Sequence, residues 1–249
     1  MTGVPIRLQD RLPQRRIGVV AMNPIVARAI TIEAGATQLE GILRIPRAPR
    51  GLVLFVHGSG SSRLSPRNTE VAQRLSAHGL ATLLFDLLTA REEEIDAMTA
   101  QLRFDIPFLT ERLVAATDWA LRQADLKDLS IGYFGASTGA AAALAAAARM
   151  PQVRAVVSRG GRPDLAGAAL VAVRAPTLLI VGGHDSHVLA LNHAALAQLG
   201  CEAELEVVPG ATHLFAEPGA LERVAALATG WFERHLRAPS PTSGAGRSE

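Results

Sequence analysis

Gly135-Ala136-Ser137-Thr138-Gly139 lies between an apolar run at 130–134 and an alanine-rich stretch at 138–150. A strand, a sharp turn and a helix in that order lift the Ser137 hydroxyl out at the end of a sheet. The backbone there turns so tightly that the residues two positions away on either side must lack side chains. Gly135 and Gly139 meet that demand. A serine so placed does nucleophilic chemistry if a base takes its proton. The plainer reading is a serine that caps an alanine-rich helix, and only partners elsewhere in the chain separate the two.

Two candidate partners follow later apolar runs. Asp185 comes directly after a run at 177–181, in Gly182-Gly183-His184-Asp185, and His213 follows a run at 204–208, in Pro209-Gly210-Ala211-Thr212-His213. His213 would accept the Ser137 proton on one ring nitrogen while Asp185 holds the other and fixes the tautomer. Asp164, in Arg159-Gly160-Gly161-Arg162-Pro163-Asp164, is the rival acid, and Asp86 reads as a loop organiser. His78 and His193 read as structural, and His235 near the last helix end as a favourable cation or a solvated residue. His184 and His187 flank Asp185 too closely to bridge it to Ser137, and they fit the entrance better. The oxyanion donors expected are the amides of Thr138, at the helix start, and of Ser59, in His57-Gly58-Ser59-Gly60. Candidate substrate contacts are His57, Gly60, Arg159 and His187, although His57 is also readable as a loop brace. Arg159 and Arg162 either attract a substrate carboxylate or tie down a loop.

These residues need a frame, and strands alternate with helices along the chain. Alternating segments at 28–33 and 38–45 around Gly35 read as an antiparallel hairpin. Continuous apolar runs at 52–56, 80–85, 130–134, 153–157 and 177–181 read as strands buried on both faces, with a last strand at 204–208. Helices are expected at 68–77, 108–123, 138–150, 190–199 and 220–236. The result is an α/β fold: a mainly parallel sheet of about eight strands, helices on both faces, ligands at the carboxyl ends of the strands. In residues 89–107 the acidic run Glu92, Glu93 and Glu94 reads most simply as a solvated face. The alternative is a small flap that packs Ile95, Met98, Leu102 and Phe104 inward. The expected organisation is a flexible segment at 1–16, one domain without a large lid at 17–237, and a disordered tail at 238–249.

Composition narrows the function classes. Of 249 residues, 49% are hydrophobic and 19% charged, which supports a sizeable core. The formal net charge is +2, Lys127 is the only lysine, and the arginines are scattered, so neither nucleic acid nor a membrane surface is an expected partner. Cys201 is the single cysteine, which excludes an internal disulfide and a thiolate metal cluster. The sequence shows neither a membrane-spanning run nor a secretory leader, so a cytoplasmic location is expected. A phosphate-binding loop is not supported, because the glycines around Ser59 match neither nucleotide-binding spacing.

The order Ser137, Asp185, His213 is that of the α/β hydrolases. More closely, the chain resembles the dienelactone-hydrolase-like branch. The resemblance is carried by His57-Gly58-Ser59-Gly60 with Ser65-Pro66-Arg67-Asn68, Gly132-Tyr133-Phe134-Gly135-Ala136-Ser137-Thr138-Gly139-Ala140, Val181-Gly182-Gly183-His184-Asp185, and Pro209-Gly210-Ala211-Thr212-His213-Leu214-Phe215. Dienelactone hydrolases proper use a cysteine nucleophile, so with serine at 137 lactone specificity is not inherited. Similar domains also occur joined to phosphoribosyltransferase domains. This chain has no expected room for one, and no acidic pair followed by Thr-Gly. The expectation is a serine hydrolase that cleaves small carboxylic esters through an acyl-enzyme on Ser137, without cofactor or metal. Thioesterase, lactonase or amidase chemistry on the same triad remains open, as does a non-catalytic binding protein.

Overall fold

The computed structural model describes residues 25–236. The segments expected at 1–16 and 238–249 lie outside the described residues. β1 (Val26–Ala34) and β2 (Thr37–Ile45) form the antiparallel hairpin. Gly35 turns it at φ +65°, a conformation that a side chain disfavours. The remaining strands are β3 (Leu52–Val56), β4 (Ala81–Phe85), β5 (Ile131–Ala136), β6 (Val153–Arg159), β7 (Thr177–Gly182) and β8 (Ala203–Val208). The sheet order is β1-β2-β4-β3-β5-β6-β7-β8, with β2 antiparallel to β4 and every pairing from β4 to β8 parallel.

The apolar runs are continuous because helices cover both faces and alternate side chains serve opposite cores. In β3, Leu52, Leu54 and Val56 join the core under α3 (Ile106–Arg122) and α4 (Thr138–Ala147). Val53 and Phe55 join the core under α1 (Pro66–Ala77) and α6 (Ala220–His235). α1 starts where Ser65 accepts a hydrogen bond from the Asn68 amide and Pro66 occupies the first turn, then stops ahead of Gly79 at φ +83°. α4 is buried along nearly its whole length, packed against β5 and α3.

The chain leaves β3 for β4 on one side, then returns to place β5 on the other. The carboxyl ends of β3 and β5 therefore flank the switch point of the sheet, where this class of fold leaves a crevice. The residues singled out for chemistry follow β3, β5, β6, β7 and β8.

Three segments differ from expectation. Residues 89–107 include a helix, α2 (Ala90–Thr99), begun by a capping box between Thr89 and Glu92. It is held down by polar contacts, not apolar ones: Ile95, Met98 and Phe104 are exposed, while Asp96 is buried. The Asp96 carboxylate accepts from the Leu102 amide at 2.7 Å, the Arg103 amide at 3.1 Å and Arg103 Nε at 2.6 Å. Burial pushes that carboxyl up, but the bonds from Arg103 and Leu102 outweigh it and hold it below the ordinary carboxylate range. Glu92 is also engaged, by the Thr89 amide and by Arg112. Next, Pro163–Ala172 forms 3₁₀ turns broken at Gly167. Last, α5 (Ser186–Leu196) starts earlier than its apolar spacing suggests, with the Asp185 carbonyl accepting from the Leu189 amide at 2.8 Å as the first bond of the helix.

Candidate active site

Ser137 is the residue before α4, at φ 51° and ψ −124°. A positive φ at a non-glycine residue is strained, and its surroundings must hold it there. A Cβ on Gly135 would stand 2.4 Å from Ala140 Cα, and one on Gly139 would stand 2.2 Å from the Val56 carbonyl oxygen. Neither position tolerates a side chain. The Ser137 amide donates to the Arg159 carbonyl at 3.2 Å, and its own carbonyl accepts from the Ala140 and Arg162 amides, each at 3.1 Å. The loop after β6 thus clamps the turn.

That loop also approaches the histidine. Gly160 has φ +51°, and a Cβ there would stand 3.1 Å from the His213 carbonyl oxygen and 3.5 Å from its Nδ1. His213 Nδ1 lies 2.6 Å from Asp185 Oδ2. Asp185 makes no capping bond to α5, so its carboxylate is given to the imidazole. The rival Asp164 is taken up by Arg162, whose Nε and terminal nitrogen reach its two oxygens at 2.8 and 2.7 Å. Ser137 and His213 open onto one cavity of about 250 Å³, which Ser59, Arg67, Asn68 and Arg159 also line.

Of the two amides expected to face an oxyanion, one is engaged. Thr138 is the first residue of α4, and helix geometry leaves its amide without an intrahelical partner. The Ser59 amide donates to Thr138 Oγ1 at 2.9 Å, because the buried hydroxyl finds its donor across the turn. A second cavity of about 180 Å³ is lined by the His57–Ser62 loop together with Arg103 and Thr138 among others.

His57 is a brace. Its Nε2 accepts from the Leu87 amide and its Nδ1 faces the Gly58 carbonyl, each at 3.0 Å, so neither nitrogen is left for a substrate. Burial lowers its pKa, which keeps it neutral. His187 is exposed on α5 and lines neither cavity. Gly60 lines only the second one. Asp86 organises its loop as expected, accepting from the Arg63 amide at 2.6 Å and pairing with its guanidinium. His235 differs from expectation: it is largely buried against Trp231, and burial lowers its pKa despite Glu202 at 3.6 Å. Sequence reasoning did not assign Arg67 or Asn68 a role, although both stand in the Ser65-Pro66-Arg67-Asn68 segment. Among the described residues, no three His, Cys, Asp or Glu side chains form a group that could hold a metal ion, and no helix is long and apolar enough to cross a membrane.

Parallel strands wound from a central switch point, with a strained serine between strand and helix, are the α/β-hydrolase fold. Within that class the chain belongs to the dienelactone hydrolase family, which residues 39–236 match. The crystal structure of a dienelactone hydrolase from Anabaena variabilis is similar, with a TM-score of 0.84 and 57% identity over 86% of this chain and 99% of that one. Two Mycobacterium tuberculosis proteins, provisionally named phosphoribosyl transferases, are 54% identical over 227 residues, 91% of this chain and 50% of each relative. The chain thus spans about half the length of the curated relatives it matches. Est1E from Butyrivibrio proteoclasticus, 18% identical over 83% of this chain and 98% of that one with a TM-score of 0.68, shares the fold.

Proposed function

We propose that this chain is a serine hydrolase of small carboxylic esters. Ser137 attacks the carbonyl carbon while His213 takes its proton, and Asp185 holds the other ring nitrogen and stabilises the imidazolium. His213 then passes the proton to the leaving alcohol. Water, deprotonated by the same base, attacks the acyl-enzyme, which frees the acid and restores Ser137. The oxyanion rests on the Thr138 amide, at a helix start where no acidic side chain offsets the positive end of the dipole. Ser59 serves as second donor by sharing the hydrogen it gives to Thr138 Oγ1.

The observation that carries this reading is the 2.6 Å bond between His213 and Asp185 beside the cavity onto which Ser137 opens. A cavity of about 250 Å³ suits a short acyl group better than a lipid chain. The transferase name of the mycobacterial relatives belongs to proteins of which this chain covers 50%, and these residues do not suggest that chemistry.

Purified protein is expected to hydrolyse p-nitrophenyl acetate or butyrate and to be labelled by a fluorophosphonate probe. Ser137→Ala is expected to lose both while keeping its circular dichroism spectrum. Turnover retained in that variant overturns the assignment.

A further inference from the structure

Arg159 ends β6 in the cavity beside Ser137 and is 8% exposed. Its terminal nitrogen donates to Asn68 Oδ1 at 3.3 Å, a neutral acceptor, and its Nε is buried with no hydrogen-bond partner. Arg67, from the first turn of α1, lines the same cavity, and its Nε is likewise buried and unpartnered. Among the described residues the other buried or half-buried arginines of this region have their acids: Arg63 has Asp86, Arg103 has Asp96, Arg162 has Asp164. Arg67 and Arg159 have none, and no Asp or Glu lines the cavity. Burial and then the charge of Arg67 lower the Arg159 pKa to about 10, which still leaves its guanidinium charged at neutral pH. A buried cation without a counter-ion is costly, and a guanidinium fork with a free N–H is built to take a paired oxyanion.

We propose that Arg159 and Arg67 form an anion subsite of the Ser137 cavity, so that the ester cleaved here carries a carboxylate or phosphate group held by both guanidinium groups. The proposal rests on the hydrolase reading and adds the substrate class to it. The anion supplies the counter-charge that both guanidinium groups lack, and it orients the ester with its carbonyl toward Ser137. Two uncompensated charges match a phosphate dianion better than a carboxylate, so phosphate is expected to be the tighter ligand.

Binding is measured by calorimetry in the full chain carrying Ser137→Ala, which separates it from turnover. Inorganic phosphate and acetate are titrated in turn, at ionic strength held constant with chloride. Saturable binding of either is expected, weakened about tenfold or more when Arg159→Met or Arg67→Met is added, the loss typical of a charge-assisted hydrogen bond. Tighter binding of phosphate identifies a carboxylic ester that carries a phosphate group, and tighter binding of acetate one that carries a carboxylate. Without anion, Arg159→Met is expected to melt no lower than the parent, since it removes an uncompensated buried charge. Arg67→Met, at a half-buried position, keeps the test decisive if Arg159→Met does not fold. Absence of saturable binding, or binding unchanged by both variants, overturns the subsite. Probe labelling of the wild-type chain reports separately on the hydrolase reading.

Discussion

At Ser137, strain and accessibility are one property: the φ of 51° that carries the hydroxyl out of the strand is tolerated only because Gly135 and Gly139 leave room beneath it. Both glycines were legible as a motif, and so was the order Ser137, Asp185, His213 on which the proposed triad rests. The choice between two acids was not, because Asp164 and Asp185 both follow strand ends. What favours Asp185 in the proposed triad is which carboxylate is already occupied. Asp164 faces Arg162 through both oxygens, whereas Asp185 faces His213 at 2.6 Å. Asp185→Asn is therefore expected to lower kcat on a p-nitrophenyl ester by about 10³–10⁴ through loss of the correct tautomer. Asp164→Asn is expected to stay within about tenfold, since it loosens only the loop that clamps the serine. Steady-state kinetics on the two variants read this directly, and the reverse ranking would reassign the acid. The engagement of the Ser59 amide by Thr138 was equally invisible in the sequence, because a side chain that crosses to a distant loop leaves no periodic trace.

Among the elements, sequence and structure agree wherever burial on both faces produces a continuous apolar run, as in β3, β4, β5 and β7. They part where an element is fixed by polar contacts. α2 carries its apolar side chains outward, with Met98 83% exposed, and is anchored through Asp96, which is 2% exposed. Helical spacing of apolar residues pointed to the opposite face. α5 begins at Ser186 because Asp185 terminates the β7 turn, a feature without hydrophobic signature. The anchor of α2 is testable alone. Asp96→Ala leaves the Leu102 and Arg103 amides without their acceptor, at a cost of about 1–3 kcal/mol. The segment is then expected to open locally, with trypsin cutting after Arg103 about tenfold faster than in the wild type. Fluorophosphonate labelling of Ser137 is expected to persist. Unchanged cleavage kinetics in a mass-spectrometric time course would show that apolar contacts hold the helix after all.

On the scale of the whole molecule, the sheet converts a linear order of distant residues into one rim, and its stability is linked to buried imidazoles at opposite ends of its strands. His57 braces the loop after β3 between the Leu87 amide and the Gly58 carbonyl, and His235 closes α6 against Trp231. Burial lowers the pKa of both from the ordinary 6.5. Below about pH 6.5 the unfolded chain therefore binds protons that the folded chain refuses, and stability falls as pH drops. Above that value the unfolded imidazoles are neutral too, and the dependence vanishes. For His57 the slope is at most about 1.4 kcal/mol per pH unit. The lowered carboxyls of Asp96, Glu111 and Glu217 titrate below 4.5 and leave the window between pH 5 and 6.5 to histidine. Urea midpoints are thus expected to be flat from pH 8 to 7 and to decline from 6.5 to 5. In His57→Gln, where an amide can replace both ring contacts without titrating, the decline is expected to be shallower whatever the change in midpoint at pH 7.5. A slope equal to that of the wild type would mean that the imidazole takes up its proton within the fold, which burial and the Leu87 amide donating to Nε2 oppose.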